Sequence, residues 1–242
     1  MTPTFPPFDL PRLLKTVFVP LEGSRVCLLV DLANPADMKD FAFLGKPGHA
    51  VQTKAHEVFY QGLKNGGLRQ LGLSGGEMFA YKTTGGSNLD LPVTCVDASG
   101  NVLNLVDSVC KGYNLILCIS DYSATAPLTA LAKKHGFRGS TMHGLNDVII
   151  ASGLSVDYNE VSRQAEKLRL GMTRSDAAEL DYVLGGRAMT LRLELGKQEA
   201  QKSHGLCHGL KPDVANLPAG EVYFVPVNAN GAFPLKHEDG SL

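Results

Sequence analysis

Apolar and polar positions along the first two thirds of the chain alternate between two periods. Ser24-Arg-Val-Cys-Leu-Leu-Val-Asp31 and Tyr113-Asn-Leu-Ile-Leu-Cys-Ile-Ser120 are short apolar runs of strand length, the profile of strands covered on both faces. Glu77 to Tyr81 and Val93 to Val96 read as further strands, fenced by glycine pairs at Gly75-Gly76 and Gly85-Gly86. Between them, Val51, Ala55, Val58 and Phe59 recur near helical spacing from about His49 to Leu63, with Asn65-Gly66-Gly67 as the stop. Val102 to Val109 reads as a short helix. A second helix opens at Ala126-Pro127 and runs through Lys134, with Pro in its first turn and Gly136 past its end. Strand and helix in alternation predict an α/β fold, an open, mainly parallel, doubly wound sheet.

After Gly153 the pattern changes. Asp157 to Leu170 carries Val161, Ala165 and Leu168 on one side, with Asp157 and Glu160 spaced as a capping box and Gly171 at its end. Ala178 to Leu184 and Met189 to Leu195 read as two strands joined at Gly185-Gly186, a hairpin signal. Thr190 to Leu195 alternates strictly, one face wet and one packed. Glu221 to Val225 is a last strand, closed by Pro226. The expected division is an α/β sheet domain over 1–153 and a smaller β-rich unit over 154–242.

Charge changes the picture by exclusion. With 23 basic against 24 acidic side chains and no dense Lys/Arg cluster, nucleic acid is not an expected partner. No apolar run approaches membrane-spanning length, and Met1 to Pro11 lacks the character of a signal peptide. The 5 cysteines show no repeating spacing, and Cys27 and Cys118 fall mid-strand. Free, mostly buried thiols and a cytoplasmic location are the expectation.

Candidate chemistry is sparse. Gly45-Lys46-Pro47-Gly48 lacks the ending of a phosphate loop, and Pro47 removes an amide donor. Ser74, Ser120, Ser123 and Ser140 lack a nucleophile-elbow context. His204, Cys207 and His208 have spacing that can supply metal ligands, although Gly205 and Gly209 fit a polar loop equally. Asp31 and Asp121, with Tyr122, each follow a buried strand where the chain leaves the sheet. They either line a ligand cleft at the switch in strand order or cap the next turn.

The run Asn216-Leu-Pro-Ala-Gly-Glu-Val-Tyr-Phe-Val-Pro226 resembles a signature of the M29-type metallo-aminopeptidases, and is similar to that of the related 2,5-dihydroxypyridine dioxygenases. The preceding helix, strands and polar loop resemble them too, over about Asp157 to Gly231. In the aminopeptidases the signature glutamate is a metal ligand, so the resemblance makes Glu221 a vestigial ligand position. Asn228 stands where the family commonly carries a second acid. Only His237, Glu238 and Asp239 follow as ligand types, and a two-metal hydrolase needs several converging ligands. The chain also resembles the truncated proteins of crocagin-type peptide natural-product biosynthesis, which bind a precursor peptide.

These resemblances imply a non-catalytic protein that holds a ribosomally made precursor peptide for tailoring enzymes, without cofactor or metal, and as a homodimer. The candidate peptide-binding residues are Arg187 and Arg192 for a carboxylate, Tyr223 and Phe224 for aromatic contact, and Asp31, Asp121 and Tyr122 at the strand ends. Two alternatives remain at this stage. One is a metal-dependent aminopeptidase or ring-cleaving dioxygenase completed across an oligomer interface through Glu221, His204, Cys207 and His208. The other is a structural scaffold subunit.

Overall fold

The computed structural model describes residues 5–235. Its strands are β1 (Arg25–Leu32), β2 (Ser74–Lys82), β3 (Thr94–Asp97), β4 (Val102–Asn104), β5 (Leu115–Ser120), β6 (Arg138–His143), β7 (Ala177–Leu184), β8 (Arg187–Glu194), β9 (Gln201–Ser203), β10 (Asp213–Asn216), β11 (Glu221–Tyr223) and β12 (Asn228–Gly231). Its α-helices are α1 (Leu10–Phe18), α2 (Ala50–Lys54), α3 (Leu68–Leu71), α4 (Thr125–His135), α5 (Asp147–Ala151) and α6 (Tyr158–Thr173). The chain divides into two units. The first runs to Val161 and takes in His204–Ala219; the second holds Ser162–Ser203 and the chain from Gly220.

The first unit is built on a 7-stranded sheet in the order β10-β6-β5-β1-β2-β3-β4. β10, β6, β5, β1 and β2 run parallel, and β3 and β4 add an antiparallel edge. Alternation along the strands sends side chains to two separate cores, as a sheet covered on both faces requires. Val26, Leu28 and Val30 join Leu115, Leu117 and Ile119 on one face; Cys27 and Leu29 join Ile116 and Cys118 on the other. The α/β, mainly parallel architecture expected from the pattern is the one observed.

Local readings needed correction in three places. Gly75-Gly76 is no turn at a strand end but a bulge inside β2, where the register with β1 shifts between Val26 and Cys27. A Cβ on Gly75 would stand 2.6 Å from the Val26 carbonyl oxygen, so only glycine allows that approach. The expected helix over Val102 to Val109 is instead β4 followed by a π-helical turn at Val106–Cys110. Asp97 makes the difference: its carboxylate accepts the amides of Ser99 and Asn101, closing a hairpin that pulls Val102 into the sheet. The helix expected to stop at Asn65 kinks there, with Gly66 at φ 122°, and ends at Leu71 after the short α3.

The units divide between Val161 and Ser162 rather than at 153/154, and His204–Ala219 belongs with the first unit. The buried Arg138 guanidinium on β6 donates to the carbonyls of Phe18 and Cys207, and the Cys207 amide donates to Val17 O at 2.8 Å. β10 then pairs in parallel with β6, and Leu217 is 2% exposed.

The second unit is β-rich, as expected from its alternation. β7 and β8 form a hairpin whose two turn residues, Gly185 and Gly186, both take positive φ, and β12 adds on the far side of β8. β9 and β11 form a separate two-stranded sheet. α6 runs past Gly171 to Thr173, whose hydroxyl donates to Arg169 O at 2.8 Å and accepts the Ala200 amide at 3.1 Å. Arg169 forks onto Glu166 and reaches Glu199 at 2.7 Å, and Lys202 also meets Glu166. These partners hold the Glu166 carboxyl down to about 2. Among the described residues no helix is long and apolar enough to cross a membrane.

Candidate functional site

The strand order reverses between β1 and β5, the position where open parallel sheets bind ligands at their carboxyl ends. Asp31, the penultimate residue of β1, lies there, 1% exposed. Its Oδ1 accepts the Asp121 amide at 3.0 Å and Nε2 of Gln52 at 2.8 Å. The same Gln52 Nε2 donates to Asp121 Oδ2 at 3.1 Å, so one buried amide ties two carboxylates together. Burial pushes the Asp31 carboxyl above the ordinary carboxylate value, partly offset by the Asp121 amide and Gln52. Asp31 does not cap the turn that follows it; Asn34 does, accepting the Ala36 amide at 3.3 Å.

Tyr122 is exposed, and its carbonyl accepts the Ser120 hydroxyl at 2.7 Å. A cavity of about 420 Å³ opens beside the N-terminus of α2, between the loops that follow β1 and β6. Lys46, His49, Thr53 and Asn146 line it, while Asp31, Asp121 and Tyr122 do not. The two acids therefore lock β1 to β5 and to α2 rather than face this cavity. Gln52 was missed from the sequence. Its signal is a polar side chain on the face that Ala55 and Phe59 bury.

The second unit offers a different kind of site, a sheet edge. β7 is the edge strand of the sheet β12-β8-β7, with 8 residues and no bulge in its pairing to β8. The other described edges of the three- and seven-stranded sheets are shorter: β4 has 3 residues, and β10 and β12 have 4 each. β10 is further bracketed by Pro212 and Pro218. Backbone direction along β7 follows from three hydrogen bonds. The Ala232 amide reaches Thr190 O and the Val227 amide reaches Glu194 O, so Thr190, Arg192 and Glu194 turn their backbone groups toward β12. The Leu195 amide reaches Asp176 O, so the even-numbered residues of β7 pair with β8. Ala177, Glu179, Asp181 and Val183 therefore present their N–H and C=O groups to the side on which no described strand pairs with β7.

Side chains on this sheet segregate by face. Glu179 lies across from Arg192, Asp181 from Thr190 and Ala177 from Glu194. Arg192 is occupied, donating to Glu179 at 2.6 Å and Glu194 at 2.8 Å, and Thr190 donates to Asp181 at 2.6 Å. The opposite face carries Leu180, Tyr182, Leu184, Met189, Leu191 and Leu193, none of them buried. Arg187 sits exposed at the hairpin end, Tyr223 is exposed on β11 and Phe224 follows it, half-buried. The structure thus puts Arg187 and Arg192 on the one hairpin, Tyr223 and Phe224 in the other small sheet's segment, and Asp31, Asp121 and Tyr122 in the first unit.

Two of the candidate metal ligands, Cys207 and His208, meet backbone carbonyls. His208 Nε2 lies 2.7 Å from Thr16 O, and the Cys207 thiol donates to Asp213 O at 3.4 Å. Burial, with Asp213 nearby, pushes that thiol up to about 11, which disfavours the thiolate a metal needs. Glu221 is exposed and pairs with Ser203 across β11 and β9. Among the described residues no group of three or more His, Cys, Asp or Glu is placed to hold a metal ion. His237, Glu238 and Asp239 lie outside the described residues. The signature-like run is itself divided: Asn216 and Leu217 belong to β10 and the turn after it, and from Gly220 the chain belongs to the second unit.

No family model, no curated protein and no solved structure matches this chain.

Proposed function

We propose that the protein is a non-catalytic peptide-binding protein that accepts an extended peptide as an added strand along β7. The observation that carries this reading is an edge left unpaired among the described residues: four residues, Ala177, Glu179, Asp181 and Val183, whose backbone groups face away from β8 on a long, unbulged strand. Of the devices that ordinarily blunt such an edge, β7 lacks lysine, proline, a bulge and brevity, and carries only the acids Glu179 and Asp181. A long edge of this kind is the feature used in recognition by strand addition, where main-chain hydrogen bonds give affinity and alternate side chains give selectivity. The commitment of Cys207 and His208 to backbone carbonyls supports binding without metal chemistry.

In the setting implied by the resemblance of Asn216 to Pro226, the peptide is a ribosomally made precursor and its tailoring enzymes are further partners. Titration of the protein with extended peptides of the length of β7 tests the reading. Saturable binding that is lost when alternate peptide amides are N-methylated is the expected result. Absence of saturable binding, or binding indifferent to N-methylation, overturns it.

A further inference from the structure

The chemistry of the occupant is written on the two faces of the β7–β8 hairpin. We propose that β7 selects an extended peptide with cationic side chains at alternate positions and aliphatic ones between them, rather than a second copy of itself. This inference rests on the strand-addition reading and names its ligand. On the polar face, the carboxylates of Glu179, Asp181 and Glu194 surround one guanidinium, that of Arg192. β12 contributes only Asn228 and Asn230 opposite Glu194 and Arg192. That face is therefore left with an excess of negative charge next to the open edge. On the other face, Leu180 and Leu184 flank Tyr182 at the same edge, each of the two leucines more than a third exposed.

A strand added at β7 inherits the pleat, so its side chains alternate between these two faces with period two. Opposite charges across strands stabilise the pair and like charges destabilise it. A second β7 is disfavoured by the same rule. In the two antiparallel registers with the greatest overlap, Glu179 stands opposite Asp181 of the other copy, or Asp181 stands opposite itself. An occupant with Lys or Arg at those positions turns both repulsions into attractions. Aliphatic residues at the intervening positions extend the strip of Leu180, Tyr182 and Leu184.

The test uses the full chain and three peptides of the length of β7: alternating Lys and Val, alternating Glu and Val, and a scrambled Lys/Val sequence. The alternating Lys peptide is expected to bind about tenfold tighter than the Glu peptide, from two cross-strand charge pairs. The doubly substituted Glu179→Lys, Asp181→Lys protein should reverse that order. The neutral Glu179→Gln, Asp181→Asn protein, which keeps both side-chain shapes, should erase it. Equal binding of Lys and Glu peptides, still sensitive to backbone N-methylation, overturns the charge inference and leaves strand addition standing. No binding of any peptide overturns both. Self-association of the wild-type protein that Asp181→Pro abolishes would show a second copy as the occupant and overturn the choice of ligand.

Discussion

Gln52 donates one amide nitrogen to Asp31 at 2.8 Å and to Asp121 at 3.1 Å, so a single side chain of α2 fastens the carboxyl ends of β1 and β5. Gln52 is 0% exposed and Asp31 1%. Removing one partner of a buried polar pair costs more than the pair contributes, because the other loses its solvation without compensation. Gln52→Leu should therefore destabilise the protein by about 1–3 kcal/mol in urea unfolding. Adding Asp31→Leu should cost much less than it does in the wild-type background, and additive costs would show that the two do not act as a pair.

Asp31 also sets a pH dependence. Its folded-state pKa lies above the ordinary value of 3.8 because burial disfavours the charge. The folded state therefore holds the proton more tightly than the unfolded chain. The resulting stability is fully present below pH 3.8 and is lost as pH rises through the raised folded value. Relative to wild type, Asp31→Asn should thus gain most at neutral pH, and its advantage should shrink as pH falls toward 4. Parallel stability curves for the two proteins across that range would contradict the assignment.

All five cysteines are buried and free. Burial pushes Cys95, Cys110 and Cys207 up to about 11 and Cys118 up to about 12, and raises Cys27 well above its ordinary value. Thiol reagents act on the thiolate, so the native protein should react slowly at neutral pH and the denatured protein should titrate five thiols. Rapid labelling of any cysteine in the native state contradicts this burial.

Gly205 joins the returning segment to the first unit at close range. Its φ is +77°, and a Cβ there would stand 2.3 Å from the Tyr158 ring. Gly205→Ala combines backbone strain with overpacking and should cost about 2–4 kcal/mol. Gly209→Ala, at a similar φ with nothing within 4 Å, should cost about 1 kcal/mol. Equal costs at the two positions would contradict the packing of 205 against Tyr158.

Legibility in the sequence followed how local the determining physics is. β1 and β5 were readable because both faces of each are apolar, and the β7–β8 hairpin because Gly185-Gly186 and strict alternation reinforce each other. β10 was not, since four residues between Pro212 and Pro218 carry no period of their own; their place is set by β6 and by Arg138, far away in the chain. Asp31 and Asp121 were found at the switch in strand order, but the partner joining them was hidden in an otherwise apolar helix face. The open backbone edge of β7 leaves no side-chain signature at all, because its groups are common to every residue.

Residue-resolved hydrogen exchange with and without saturating alternating Lys/Val peptide distinguishes strand addition at β7 from binding elsewhere. Strand addition at β7 predicts that the amides of Ala177, Glu179, Asp181 and Val183 exchange fast in the free protein and become protected on binding. Those of Leu180 and Tyr182, already directed at β8, should change little. Saturable binding that leaves the four outward amides unprotected would place the peptide elsewhere and contradict the account.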